Sequence, residues 1–190
     1  MKQWSPRSPQ KSPSKSRVKS AEDKGLATAL NFVKYRPRSV LEVVRRLQRA
    51  GLGSNEINSI IIQLTEVDIL NDSRFARDWA RSRDRLHPIG NWLLQRELNE
   101  KGVTEEVITR TLDERETPEW LEEVGLIADG RRLELILAEQ LVQKRRKRVA
   151  VPEDRSAALK TKQHLAQFLG RRGFSPATIS TLVFHDSYDT

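Results

Sequence analysis

Apolar residues recur along this 190-residue chain in a pattern that repeats three times. Aligned on Gly51, Gly102 and Gly173, apolar residues stand eight and four positions before the glycine: Val43 and Leu47, Leu94 and Leu98, Leu165 and Leu169. One position after it come Leu52, Val103 and Phe174. Six and ten after it come Ile57 and Ile61, Ile108 and Leu112, Ile179 and Val183. Side chains four apart share one helical face. The spacing therefore predicts a helix, a tight glycine turn and a second helix in each copy. The glycine is expected at the left-handed position that ends the first helix. Gly53, Thr104 and Ser175 are the expected N-caps of the second helices, with Pro176 at the first helical position of the third copy.

Each pair is preceded by a further helical pattern. Residues 24–35 carry Leu26, Leu30 and Val33; residues 73–86 carry Phe75, Trp79 and Leu86, with Asp72 as the expected N-cap; residues 129–147 carry Leu133, Ile136, Leu137 and Leu141. Pro37 and Pro88 break the chain between the first two of these and the pairs that follow. The expected architecture is all-α, three tandem three-helix units resembling helix-turn-helix folds, in an elongated, curved array. The units are read at 24–70, 71–116 and 129–186. A connection spans 117–128, a basic insertion 144–156, and short tails lie at 1–23 and 187–190. The glycines are 51 and then 71 residues apart, so about 20 extra residues separate the last two copies.

Composition narrows the functional classes. There is no cysteine, which excludes disulfides, thiolate metal sites and cysteine nucleophiles. No apolar run approaches the roughly 20 residues of a membrane-spanning helix, and the N-terminus lacks the apolar core of a secretion signal, so a cytoplasmic protein is expected. The net charge of +8 favours a polyanionic partner. Part of it lies in residues 1–24, rich in Ser, Pro and Lys. This stretch reads as a disordered tail, either a plain solvating leader or a weak grip on nucleic acid.

The remaining basic residues define a candidate partner surface. Arg74, Arg77, Arg81 and Arg85 recur on one face of the helix after Asp72, opposite Phe75, Ala76 and Trp79, with Asp78 as the one acid nearby to neutralise them. Arg45, Arg46, Arg49, Arg96, Lys101, Arg171 and Arg172 lie on the middle helices, and Lys144, Arg145, Arg146, Lys147 and Arg148 form a run near the insertion. Arginines so placed can pair bidentately with phosphate or carboxylate; any one of them can equally be solvated surface. The helices after the turns suit base reading poorly: Glu105, Glu106, Asp113 and Glu114 would repel phosphates, though Asn55 and Asn58 remain compatible with it. His87, His164 and His185 are dispersed, without metal-ligand spacing or a nucleophile partner. No phosphate-binding glycine motif is present. No enzyme, metal or cofactor is expected. Trp79 reads as core, Trp92 and Trp120 as core or interface, and Trp4 falls in the tail.

Asn71-Asp72-Ser73-Arg74-Phe75-Ala76, then Arg83, then Gln95-Arg96-Glu97-Leu98-Asn99-Glu100-Lys101-Gly102-Val103 resemble the central repeat of RecX proteins. Arg38-Ser39-Val40-Leu41-Glu42 through Leu47 to Gly51 is similar to that family's opening helix pair. Lys162-Gln163 through Phe168-Leu169 to Arg172-Gly173-Phe174 is similar to its closing repeat. The chain departs from the pattern at Asp68-Ile69, where the family has a Gly-Tyr pair, and at Leu93, often basic in the family. The resemblance implies a monomeric regulator that binds along RecA–DNA filaments. It would inhibit ATP hydrolysis, strand exchange and the co-protease function of the SOS response. DNA, single- or double-stranded, would be met directly or within the filament. The alternative reading is a general nucleic-acid-binding helical protein acting without RecA.

Overall fold

The computed structural model describes residues 15–127, 129–147 and 154–184, with side chains from residue 22 onward. The described residues form ten helices and no strand: α1 (Lys15–Lys34), α2 (Val40–Arg49), α3 (Ser54–Glu66), α4 (Asp72–Leu86), α5 (Asn91–Glu100), α6 (Glu105–Glu114), α7 (Pro118–Glu123), α8 (Leu133–Arg146), α9 (Arg155–Arg171) and α10 (Pro176–Val183). Three triplets, α1–α3, α4–α6 and α8–α10, repeat one arrangement, and α7 lies in the connection between the last two. Two compact units divide at Leu70 and Asn71.

The fifteen repeat positions behave as their spacing requires. Eleven are buried, and Leu52, Ile61, Leu112 and Ile179 pack against a core. The three turns also share one backbone solution. Gly51, Gly102 and Gly173 have φ of 85°, 78° and 77°. In each turn the glycine amide and the next amide reach back to the last helical turn: Gly51 to Gln48 and Leu52 to Leu47, Gly102 to Asn99 and Val103 to Leu98, Gly173 to Gly170 and Phe174 to Leu169. Two orphan carbonyls are thus satisfied in each helix.

The same turn closes α3 without glycine. Asp68 holds φ at 56°, its amide donating to Thr65 and that of Ile69 to Leu64. Aspartate is among the few residues that tolerate this left-handed backbone, so the turn is kept with Asp68 where the other turns have glycine.

In the first unit α1 meets α3 through its smallest residues. A Cβ on Gly25 would meet Ile60 Cδ1 at 2.6 Å, and Ala29 one turn on is fully buried. Leu26 and Val33 flank this line, whereas Leu30 is exposed. α1 also begins at Lys15, so the helix takes in residues read from sequence as the end of the tail. The rest of that tail, with Trp4, lies outside the described residues.

In the second unit one core runs from Phe75 of α4 to Val183 of α10. α4 is capped by Asn71, whose side chain accepts from the Arg74 amide at 2.9 Å. This corrects the expectation for Asp72, which is the first helical residue. Either residue type can cap; with Asn71 in the extended conformation, the Asp72 carboxylate falls where the positive helix end favours it. The connection after α6 is built rather than loose. Thr117 caps α7 by accepting from the Trp120 amide, Pro118 opens it, and Trp120 and Leu121 are buried.

Candidate partner interface

Two buried polar clusters hold the second unit in shape. Arg115 at the end of α6 is 1% exposed and forks onto Asp84 of α4 through Nε at 3.2 Å and Nη2 at 2.5 Å. It also donates to Asn91 Oδ1 and to the Ile89 carbonyl, while Trp120 Nε1 donates to Asp84 at 2.9 Å. Every charged atom has a partner, which a buried pair requires to be tolerated. The second cluster centres on Glu134 of α8. Its carboxylate accepts from the hydroxyls of Ser175 and Thr178 at 2.7 and 2.8 Å and from the amides of Ser175 and Asn91 at 3.2 and 3.4 Å. It therefore ties the starts of α5 and α10 to α8.

Beside Glu134 the second and third repeats touch backbone to backbone. The Gly90 amide donates to the Arg172 carbonyl at 2.9 Å, and Arg172 Nη1 donates to the Pro88 carbonyl at 3.0 Å. Sequence reading missed Asp84, Arg115, Glu134 and Gly90. Partners 24 to 82 residues apart leave no periodic trace; a Pro-Ile-Gly break was the one visible signal.

The α4 arginines sit on one helix face, but not in isolation. Arg77 pairs with Glu114 at 3.8 Å; Arg81 pairs with Asp78 at 3.9 Å and more closely with Glu123; Arg85 donates to the Glu123 backbone carbonyl. Arg81 also lies over the Trp120 ring at 5.1 Å, with its Nε buried and lacking a hydrogen-bond partner. Asp78 is thus not the one acid near the stripe: α6 and α7 bring Glu114 and Glu123 to it. An open cleft lined by Asp78, Arg81, Ser82, Arg85, Leu86 and Glu123 results. Arg74 is exposed near the start of the helix. Arg83, outside the stripe, forks onto Glu97 at 2.8 and 2.9 Å, and Trp79 Nε1 shares that carboxylate at 2.8 Å. Trp79 is therefore half-buried against the core, with a polar edge.

The other predicted cations divide further. Arg96 pairs with Glu100 at 3.0 Å beside the exposed Trp92, and Lys101 lies over Trp79 at 5.0 Å. Arg145 and Arg172 both approach the Phe168 ring, at 4.6 and 5.0 Å. Lys144, Arg146, Lys147 and Arg171 are exposed; Arg148 lies outside the described residues. In the first unit Arg45, Arg46 and Arg49 are exposed on α2, and none has an ion-pair partner among the described residues. Just before α2, burial chiefly, with help from Arg36 and against Glu42, lowers the pKa of Arg38, which lies over Phe32 at 3.8 Å.

The helices after the turns carry acids that are themselves engaged: Glu105 accepts from Gln95, and Glu106 pairs with Arg110 at 2.9 Å. Such a face does not suit the major groove. Among the described residues no helix is long and apolar enough to cross a membrane.

Comparison with known proteins places this arrangement among relatives. Residues 71–112 match the profile of the second three-helix domain of RecX. The chain is 30% identical to the regulatory protein RecX of Mycobacterium sp. (strain KMS) over 154 residues, covering 81% of this chain and 76% of that protein. It is 32% identical to that of Mycolicibacterium vanbaalenii over 151 residues, 78% and 74% of the two chains. The crystal structure of RecX from Lactobacillus salivarius superposes with a TM-score of 0.62 at 24% identity, covering 86% of this chain and 94% of that one. A second crystal structure of regulatory protein RecX gives 0.66 at 21% identity, over 88% and 73%.

Proposed function

Since the chain belongs to the RecX family of regulatory proteins, we propose that it is a non-catalytic regulator that binds RecA–DNA filaments in the cytoplasm and restrains them. The observation that carries this reading is the 30% identity to a regulatory RecX across 81% of the chain. Restraint would fall on ATP hydrolysis, strand exchange and the co-protease function. The protein would act as a monomer. The basic residues of α4, the middle helices and the end of α8 would form the contact surface. Tandem helical units offer several contact points, and engaging more than one filament protomer would favour filaments over free RecA through effective concentration.

The α4 face supports the protein-contacting part of this surface. Arg77 already holds the Glu114 carboxylate at 3.8 Å, in an exposed and hence weak pair. A filament carboxylate could exchange with Glu114 there, while Arg81 stays held by Glu123. The second reading, a nucleic-acid binder acting without RecA, is favoured by the three exposed α2 arginines, which have no acidic partner among the described residues.

RecA ATP hydrolysis on single-stranded DNA separates the two. The protein is titrated into formed filaments with DNA in excess, so that competition for DNA cannot lower the rate. A fall at protein concentrations well below that of RecA is expected. An unchanged rate would reject filament regulation and leave DNA binding as the leading reading.

A further inference from the structure

We propose that the outward face of α2, formed by Arg45, Arg46 and Arg49, is the part of this protein that grips the sugar–phosphate backbone of a nucleic-acid strand, and that Arg77, Arg81 and Arg85 of α4 do not. The inference rests on the reading above for its filament setting, but its chemistry concerns the isolated chain.

At about 100° per residue the three arginines fall within an arc of about 100° on α2, and Val43 and Leu47 are fully buried on the other side. The acids that could neutralise them are committed elsewhere. Glu42 stands one turn before Arg45 and Arg46 but points back: it accepts from the Ser39 amide at 3.3 Å and pairs with Arg36 at 2.9 Å and Arg38 at 4.0 Å. Glu56, across the turn, accepts from the Gly53 amide at 2.6 Å. Both glutamates occupy the third helical position, where a carboxylate serves the helix start. Arg49 Nε bonds the Arg45 carbonyl at 3.2 Å, and its charge meets no carboxylate among the described residues.

The contrast with α4 decides between the two arginine groups. Arg77 and Arg81 are paired with acids, and Arg85 donates to the chain segment that supplies one of them. A phosphate approaching α4 must displace a carboxylate and meets residual negative charge. On α2 it displaces only water and counterions. Guanidinium groups fork onto phosphate oxygens, and counterion release supplies the driving force. Arginines near a helix C-terminus also complement the helix dipole, a role that would affect stability and leave nucleic-acid binding unchanged.

The test measures binding of the full chain to a labelled single-stranded oligothymidylate across a salt series, without RecA. R45Q/R46Q/R49Q is expected to weaken binding about ten- to a hundredfold at low salt and to reduce the slope against log salt by about 2, with a melting temperature lowered only by the small helix-dipole contribution. R77Q/R81Q/R85Q is expected to bind as the parent chain does. R77Q/R85Q, which spares the Arg81–Trp120 contact, takes its place if the triple variant melts early. An α2 variant that binds like the parent, or an α4 variant that loses as much, would overturn the proposal. The RecA assay on the parent chain is independent: its failure rejects filament regulation, and failure here rejects only the assignment of the face.

Discussion

Gly90 and Gly173 meet backbone to backbone. A Cβ on Gly90 would overlap the Gly173 carbonyl and come within 2.5 Å of the Phe174 amide; a Cβ on Gly173 would come within 2.5 Å of the Leu93 amide nitrogen. The contact joins the start of α5 to the turn between α9 and α10. The Gly90–Arg172 hydrogen bond and the buried Glu134 sit beside it. Gly173 thus has two duties, a left-handed φ and a flat surface.

Gly90→Ala tests the second duty, because Gly90 has an ordinary N-cap φ of −74°. Overpacking against backbone is expected to destabilise by about 3 kcal/mol, or about 10 °C in melting temperature for a chain of this size. Thermal unfolding followed by circular dichroism checks this. A melting temperature equal to the parent's would show that the seam is not closed in solution.

Removing Arg115 strands Asp84 in the core. Arg115→Ala is expected to destabilise by about 3–5 kcal/mol and to shift the fluorescence of Trp120, whose indole bonds the same carboxylate. The double variant D84L/R115M should lose much less than the two single losses added together, since no charge is left unpaired. Additive losses in a denaturant series would contradict the paired arrangement.

Glu134→Ala leaves the Asn91 and Ser175 amides without their carboxylate. A loss of about 2–4 kcal/mol is expected, with Glu134→Gln nearer the parent because one acceptor oxygen remains. Hydrogen exchange gives the decisive reading: the amides of Asn91 and Ser175 should lose protection together.

Asp68→Gly relieves a left-handed aspartate and is expected to stabilise by about 0.5–1 kcal/mol. A lower denaturation midpoint in the variant would mean that the aspartate side chain contributes more than the backbone strain costs.

Before α8, the Arg131 amide, then its guanidinium, hold the Asp129 carboxyl below its ordinary value, and the Arg131 pKa is raised in turn. Because the folded value is depressed, the associated stabilisation is present above the unfolded carboxylate pKa and fades as pH falls through the folded one. A carboxyl NMR titration should find Asp129 titrating below a free aspartate, and in Arg131→Gln it should return towards that value.

The repeat itself was legible because local rules govern it. A 3.6-residue period marks a buried face, and a glycine at the left-handed position marks a helix end; both act over fewer than about a dozen residues. All fifteen repeat positions and the three turns follow from such rules, and so do the caps at Thr104 and Ser175. Asn71 and Asp72 were one residue apart in an ambiguity that two equally good capping types cannot resolve from sequence.

The state of each arginine was not legible. The α4 stripe and the α2 triad look alike as sequence, both arginine-rich with one nearby acid. Packing brings Glu114 and Glu123 to the first, while capping turns Glu42 and Glu56 away from the second. Charge compensation acts through space between residues far apart in the chain, so periodicity could place these arginines on helix faces but could not say which were already occupied. The same holds for Asp84 with Arg115 and for Gly90 with Gly173: each member is ordinary in its own helix or turn, and its role exists only where another segment arrives beside it.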